Sequence, residues 1–231
     1  MSLVDRFFTS LTEKGPRITA GLVLRRLSSI FSKIGDRGFD LRYGTDTLNL
    51  IELEDLDIES PTKPNGMRYE PTRARPMRRF LRAMAFPKDS TFVDFGCGKG
   101  RVLLVASDYG FKRVVGIEFS PQLCEQARRN LAIYRGKTGT RSDVEIVECD
   151  VLDYKIRDDE TTFFFFNPFD AGVMGQVLSN IVASHKKHPR RIWLIYHYPE
   201  FGEVLDREDF FVKLGSYTFG GGEFAVYTNQ G

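Results

Sequence analysis

From residue 91 onward the chain alternates short apolar runs with longer amphipathic stretches. Residues 91–95, 113–119, 144–149, 161–166 and 191–196 read as strands, rich in Val, Ile, Phe and Thr and bounded by turn residues. The run at 161–166 is apolar throughout, as suits a strand covered on both faces. Between them lie helical patterns. One follows Gly100 as Val-Leu-Leu-Val-Ala, and another starts at Ser120, an N-cap residue followed by Pro121, and runs to about Tyr134. A third spans 171–187, with a short helix at 203–207. Residues 210–219 and 223–228 flank Gly220-Gly221-Gly222 and read as an antiparallel hairpin. This pattern predicts an α/β, doubly wound architecture whose mostly parallel, seven-stranded sheet closes with that hairpin.

The first 60 residues lack this alternation. Residues 3–11 suit a short helix stopped by Gly15-Pro16, and 22–34 an amphipathic one. Val23, Leu27, Ile30 and Ile34 fall on one side of the second helix, fit either to lie across the main domain or on a membrane surface. Residues 39–46 and 48–56 read as an extended covering segment. The expected division is therefore a helical and extended cap at 1–60 and a main domain at 61–231. Residues 60–76 hold Pro61, Pro64, Asn65-Gly66, Pro71 and Pro76 and read as a loop. Next comes a helix with Met77, Phe80, Leu81 and Met84 as its inward stripe. Arg68, Arg73, Arg75, Arg78, Arg79 and Arg82 crowd this region, as a solvated face or a surface for an anionic partner.

Composition narrows the classes. With 42% hydrophobic and 13% aromatic residues the chain can bury a sizeable core, which argues against disorder. Its formal charge of +2 neither demands nor excludes an anionic partner. Cys97, Cys124 and Cys149 have no paired spacing and, with three scattered histidines, do not suggest zinc or a disulfide framework. No apolar run reaches membrane-spanning length, and the N-terminus lacks the apolar core of a secretory signal. A soluble cytoplasmic protein is expected.

The candidate chemistry starts at Asp94. Asp94-Phe-Gly96-Cys97-Gly98-Lys-Gly100 follows the first strand and opens the first βα turn. Glycines there let backbone N–H groups approach a ligand closely, and the helix start favours electron-rich groups. A dinucleotide fingerprint would need glycine at 101, where Arg101 stands, and a phosphate loop would need Ser or Thr after Lys99. Glu118 follows within about 20 residues, the separation at which a carboxylate accepts from ribose hydroxyls. Asp150, or Asp153 as a competitor, is placed to accept from an adenine amino group. Tyr69-Glu-Pro-Thr72 offers an aromatic face and a hydroxyl as a lid over the site, or is an ordered connector. Asp94, Glu118, Asp150, Asn167 and His197 all fall at the carboxyl ends of strands, where open α/β sheets bind ligands.

The acidic-x-Gly-x-Gly-x-Gly run resembles the first motif of the class I S-adenosylmethionine-dependent methyltransferases, and from about residue 91 the chain looks like a member of them. The segments Phe-Asp-Leu-Arg-Tyr-Gly-Thr-Asp-Thr (39–47) and Tyr-Glu-Pro-Thr (69–72) are similar to those of a bacterial group within that superfamily. The resemblance implies a Rossmann-like fold and S-adenosyl-L-methionine as cofactor. It implies Asp94, Gly96, Cys97, Gly98 and Gly100 at the cofactor's methionine end, Glu118 on the ribose and Asp150 on the adenine, with Tyr69, Thr72 and Asn167 contributing.

Asn167-Pro168-Phe169 is similar to the Asn/Asp-Pro-Pro-Tyr/Phe motif of amino-group methyltransferases, with one proline in place of two. In that motif the Asn side chain and a Pro carbonyl accept the protons of a planar nitrogen, and the aromatic ring stacks on it. By this likeness Asn167, Pro168 and Phe169 are the catalytic residues; a tight turn after a buried strand is the other reading. His197 is either a general base or a packed, hydrogen-bonded histidine. The expected activity is methyl transfer to a nitrogen, less readily an oxygen, of a small molecule, protein or nucleic acid. A non-catalytic module that holds the cofactor or its product is the alternative.

Overall fold

The computed structural model of the chain describes residues 38–229, so the helices expected at 3–11 and 22–34 lie outside the described residues. Seven strands follow the predicted pattern: β1 (Thr91–Phe95), β2 (Arg113–Glu118), β3 (Asp143–Glu148), β4 (Glu160–Phe165), β5 (Trp193–His197), β6 (Phe211–Phe219) and β7 (Gly222–Asn229). They form one sheet in the order β3-β2-β1-β4-β5-β7-β6. β1 to β5 pair in parallel, and β7 runs antiparallel to both β5 and β6. Gly220 and Gly221 at the hairpin turn have φ of 54° and 78°, left-handed values that match a hairpin to the strand twist.

Strand alternation builds two cores, one on each face of the sheet. Phe92, Val114, Phe164, Ile195, Phe224 and Val226 point to one side. There they meet buried residues of α1 (Ala74–Met84), α2 (Arg101–Tyr109) and α3 (Pro121–Thr138). Val93, Phe95, Phe163, Phe165, Leu194 and Tyr196 point to the other. They pack on α4 (Ala171–Lys187) and α5 (Gly202–Asp206). The all-apolar β4 thus serves both layers. Ser120 caps α3, accepting from the Leu123 N–H at 3.3 Å. That helix runs four residues beyond the expected Tyr134 and stops at Gly139, φ 66°.

The covering segment is less extended than its sequence suggests. Residues 38–43 are helical, because Phe39 and Tyr43, one turn apart, both bury their rings against Tyr134 of α3. Gly44 (φ 70°) ends the turn, and the Asp40 carboxylate accepts from the Thr45 hydroxyl (2.7 Å) and from the N–H and hydroxyl of Thr47 (2.9 and 2.7 Å). Beyond it the chain is extended as far as Glu52, and a single 3-10 turn at Leu53–Asp55 interrupts the stretch expected to be extended to residue 56. Ile51 and Tyr69 exchange backbone hydrogen bonds of 3.2 and 2.9 Å, so residues 45–72 double back as a strap over the carboxyl ends of β1, β2 and β4. Among the described residues, no helix is long and apolar enough to cross a membrane.

Candidate active site

Three glycines shape the turn between β1 and α2. Gly96, Gly98 and Gly100 have φ of 74°, 54° and 82°, values that strain any residue with a Cβ. Space is as restrictive as conformation. A Cβ on Gly98 would lie 2.2 Å from the Tyr69 ring, and one on Gly96 2.6 Å from the Pro168 side chain. The turn is pinned by the Gly96 and Cys97 N–H groups donating to the Ile117 carbonyl at 2.9 and 3.0 Å.

Glu118 ends β2 beside this turn, only 5% exposed. Its carboxylate accepts from the Gly98 N–H at 2.9 Å and the Ser120 N–H at 3.0 Å. Burial raises the Glu118 carboxyl above the usual range, although these backbone donors act in the opposite sense. Asp94, 3% exposed, has no hydrogen bond to its carboxyl among the described residues. Burial first, and the Glu118 charge second, push it well above the ordinary carboxylate range. Both line an open cleft of about 630 Å³, with Tyr69, Thr72, Cys97 and Gly98 on its walls and Phe166, Asn167 and Pro168 across from them.

A second, more apolar cavity of about 360 Å³ adjoins the first and shares Gly96, Glu118, Phe119 and Pro168 with it. Val151, Cys149 and Phe169 supply its inner wall. The pair of cavities, with Glu118 between them, fits an adenosine bearing a cationic chain. The flat base would enter the apolar slot, the ribose would face Glu118, and the positive end would meet Asp94. Two buried carboxyls favour a cation there, because its charge lowers the cost of ionising them.

The strap supplies the roof. Tyr69 lays its ring over Gly98, donates its hydroxyl to the Thr47 carbonyl at 2.7 Å and has the Lys99 ammonium 5.7 Å from the ring centre. Burial pushes its phenol up. Thr47 accepts from the guanidinium of the buried Arg101 at 2.7 Å. Asn130 of α3 holds the adjacent Asp46, accepting its N–H (2.8 Å) and donating to its carbonyl (2.9 Å). Sequence reasoning singled out the 39–47 segment without these partners, which come from 54 to 84 residues away.

Asp150, expected from sequence to face the adenine or to serve a turn, is engaged within the protein. The hydroxyls of Ser60 and Thr62 donate to one oxygen, and the Leu152 N–H donates to the other at 2.9 Å. Burial would raise this carboxyl, but those hydrogen bonds outweigh it and hold it low. Asp150 thus ties down the strap, and an adenine amino group would have to displace a hydroxyl to reach it. Asp170 does likewise. It caps α4 through the Val173 N–H (2.9 Å) and accepts from the Asn65 amide (2.6 Å).

The Asn167-Pro168-Phe169 stretch is also engaged within the protein. The Asn167 amide donates to the Tyr198 carbonyl at 2.8 Å, and its oxygen lies 3.4 Å from the Glu200 N–H. Asn167 and Tyr198 both have left-handed backbones, φ 42° and 48°. The Pro168 carbonyl accepts from the Met67 N–H at 3.2 Å. Phe169 is buried edge-on to Phe165, in the core and not on the rim where an acceptor could stack. His197 is 1% exposed and stacks on Phe224. Its Nδ1 donates to the Glu223 carbonyl at 2.7 Å, and burial, with the Arg73 charge, lowers its pKa to about 4 against that hydrogen bond. This is the packed, neutral histidine.

Comparisons with known proteins converge on this architecture. A family described as "Methyltransferase domain" matches residues 92–187. A protein-lysine N-methyltransferase of Saccharolobus islandicus is 33% identical over 78 residues, covering 33% of this chain and 48% of the relative. A ribosomal protein L11 methyltransferase of Tolumonas auensis is 46% identical over 43 residues, covering 19% and 15%. The chain thus spans less than half the length of these curated relatives. Among solved structures, an RNA methyltransferase of Salinibacter ruber in complex with S-adenosyl-L-homocysteine aligns with a TM-score of 0.50 at 20% identity, covering 69% of this chain and 93% of that one. A magnesium protoporphyrin IX methyltransferase of Synechocystis PCC 6803 with bound SAM aligns at 0.52 and 12% identity, covering 68% and 78%. At such identities these two share the fold.

Proposed function

We propose that this chain, a class I S-adenosylmethionine-dependent methyltransferase by its fold and its 92–187 region, methylates a nitrogen of its acceptor. The observation that carries the reading is the pair of buried carboxyls, Asp94 and Glu118, on either side of a glycine turn too tight for any side chain. S-adenosylmethionine supplies an electrophilic sulfonium methyl. The chain's own residues bind and orient. Glu118 takes the ribose hydroxyls, Asp94 faces the cationic end, and the Gly96-Cys97-Gly98-Gly100 backbone allows close approach. Tyr69 and Thr72 close the strap over the cofactor and exclude water. The base occupies the slot walled by Phe119, Val151 and Phe169, with Asp150 acting through the strap. Of the segment expected as a cap, residues 45–60 contribute to the strap.

At the acceptor end, the Asn167 oxygen and the Pro168 carbonyl each retain a lone pair beyond the hydrogen bond already made. Those lone pairs would hold the acceptor's N–H groups and aim its nitrogen at the methyl. Nitrogen is favoured by these acceptors and by the likeness to the protein-lysine N-methyltransferase of Saccharolobus islandicus. A second reading, cofactor binding without turnover, draws support from the internal engagement of the same atoms.

Calorimetric titration with S-adenosylhomocysteine tests the first half. Glu118→Ala should weaken binding at least tenfold, about 1.4 kcal/mol. A folded wild type that binds neither the cofactor nor its product would overturn the assignment. Transfer of a labelled methyl group into protein, RNA and small-molecule fractions then separates enzyme from binder.

A further inference from the structure

The arginines of α1 divide into two groups. Arg78 turns inward, pairing with Asp108 at 2.8 Å and donating to the Tyr43 and Tyr134 hydroxyls at 3.3 and 2.8 Å. Arg75, Arg79 and Arg82 are exposed and have no ion pair or hydrogen bond among the described residues. Their spacing, i, i+4 and i+7, puts them on one face, about 10 Å from first to last. α1 carries no acidic residue to neutralise them.

This face ends at the cleft. Arg73, the residue before α1, donates to the Tyr198 hydroxyl at 3.1 Å. Tyr198 is 36% exposed, and its carbonyl accepts from Asn167 at the cleft wall. Phe166, also on that wall, lies 6.0 Å from the Tyr198 ring. The helix that carries the arginine face thus starts beside an aromatic ring on the cleft rim.

We propose that α1 binds the phosphate backbone of a single-stranded RNA, with Arg75, Arg79 and Arg82 on successive phosphates and a base stacked on Tyr198. Among the described residues, α1 adds no large exposed apolar side chain beside Arg75, Arg79 and Arg82, and Tyr198 is a single ring, whereas the core of a protein interface needs a wider apolar and aromatic area. Phosphate contacts need only charge, and cationic grooves with stacking rings are how single strands are held without base readout. Arg75, Arg79 and Arg82 do not line the cofactor cleft, so their part in RNA binding can be measured apart from methyl transfer.

The test is fluorescence anisotropy of a labelled 20-nucleotide RNA between 50 and 300 mM salt, on wild type and on the triple variant Arg75→Ala, Arg79→Ala, Arg82→Ala. The triple variant should lose at least tenfold in affinity at low salt. Its slope of log K against log salt should fall by about 2, from roughly 0.7 per phosphate on single strands. Tyr198→Ala should lose about tenfold with the slope unchanged, and Tyr198→Phe should restore it. S-adenosylhomocysteine titration of the triple variant should match wild type, which shows the cleft intact whatever the RNA result. No RNA binding at 50 mM salt, or an unaltered slope in the triple variant, overturns the proposal. Equal competition by polyglutamate overturns it in favour of an acidic polypeptide.

Discussion

At the β1–β2 end of the cleft, Asp94 and Glu118 are buried with no ion pair among the described residues, and Asp94 has no hydrogen-bond donor of its own. At the β4–β5 end, Asn167 and Pro168 already have partners in Tyr198, Glu200 and Met67. Both ends lie at the carboxyl edge of one parallel sheet, yet only the first bears an electrostatic cost without a ligand. The difference teaches where a cationic ligand would compensate the protein most: at buried carboxyls with no counter-charge, and less at polar groups that already have partners. Charge of that kind destabilises the empty fold and persists where binding compensates it.

Substitutions at three positions probe this contrast. The largest effect on stability is expected from Phe169→Ala. If the ring is core, denaturant unfolding should show a loss of about 3–5 kcal/mol. Phe169→Leu should keep most of the stability and any methyl transfer; normal stability with lost transfer would restore the ring to the acceptor site. Gly98→Ala comes next. It forces a Cβ into the Tyr69 ring at a left-handed φ, and S-adenosylhomocysteine affinity should drop by about a hundredfold, roughly 2.7 kcal/mol. Wild-type affinity there would show that the strap stands away from the turn in solution.

Asp94→Asn should act in opposite directions on the two properties. The folded-state pKa of Asp94 is raised, so its contribution to stability is full below the unfolded carboxyl pKa near 4 and is lost as pH rises through the folded value. At pH 7 the empty variant should therefore be more stable than wild type, by about 1–3 kcal/mol. That advantage should vanish in melts at pH 3. Cofactor affinity should fall at pH 7, most for the cationic cofactor and less for its uncharged thioether product. A variant no more stable than wild type at pH 7 would mean that the Asp94 carboxylate has a donor in solution.

Much of this was legible in the sequence. The strand runs, the triple-glycine hairpin and the helix at 171–187 are local signals, and the structure repeats them within a few residues. The glycine turn and Glu118 were legible because their spacing is fixed by one βα unit. What escaped depends on partners distant in sequence. Residues 38–43 become helical only because Tyr134 receives two rings, and nothing near Phe39 announces Tyr134. The tie between Asp150 and the strap has no local signal, because Ser60 and Thr62 lie about 90 residues earlier. Phe169 could be read as a platform or as core, because a motif records the order of residues and not which side of the chain the ring enters.

The strap also bears on how this chain could be divided. A fragment starting at Thr91 would contain every strand of the sheet and the whole region that matches the family. It would also expose Asp150, strip the Pro168 carbonyl and the Asp170 N–H of their partners in Met67 and Asn65, and uncover Gly98. The portion shared with relatives and the portion able to stand alone are thus different objects. Truncation, domain fusion or transplantation of this site onto another scaffold has to carry residues 38–90 with it.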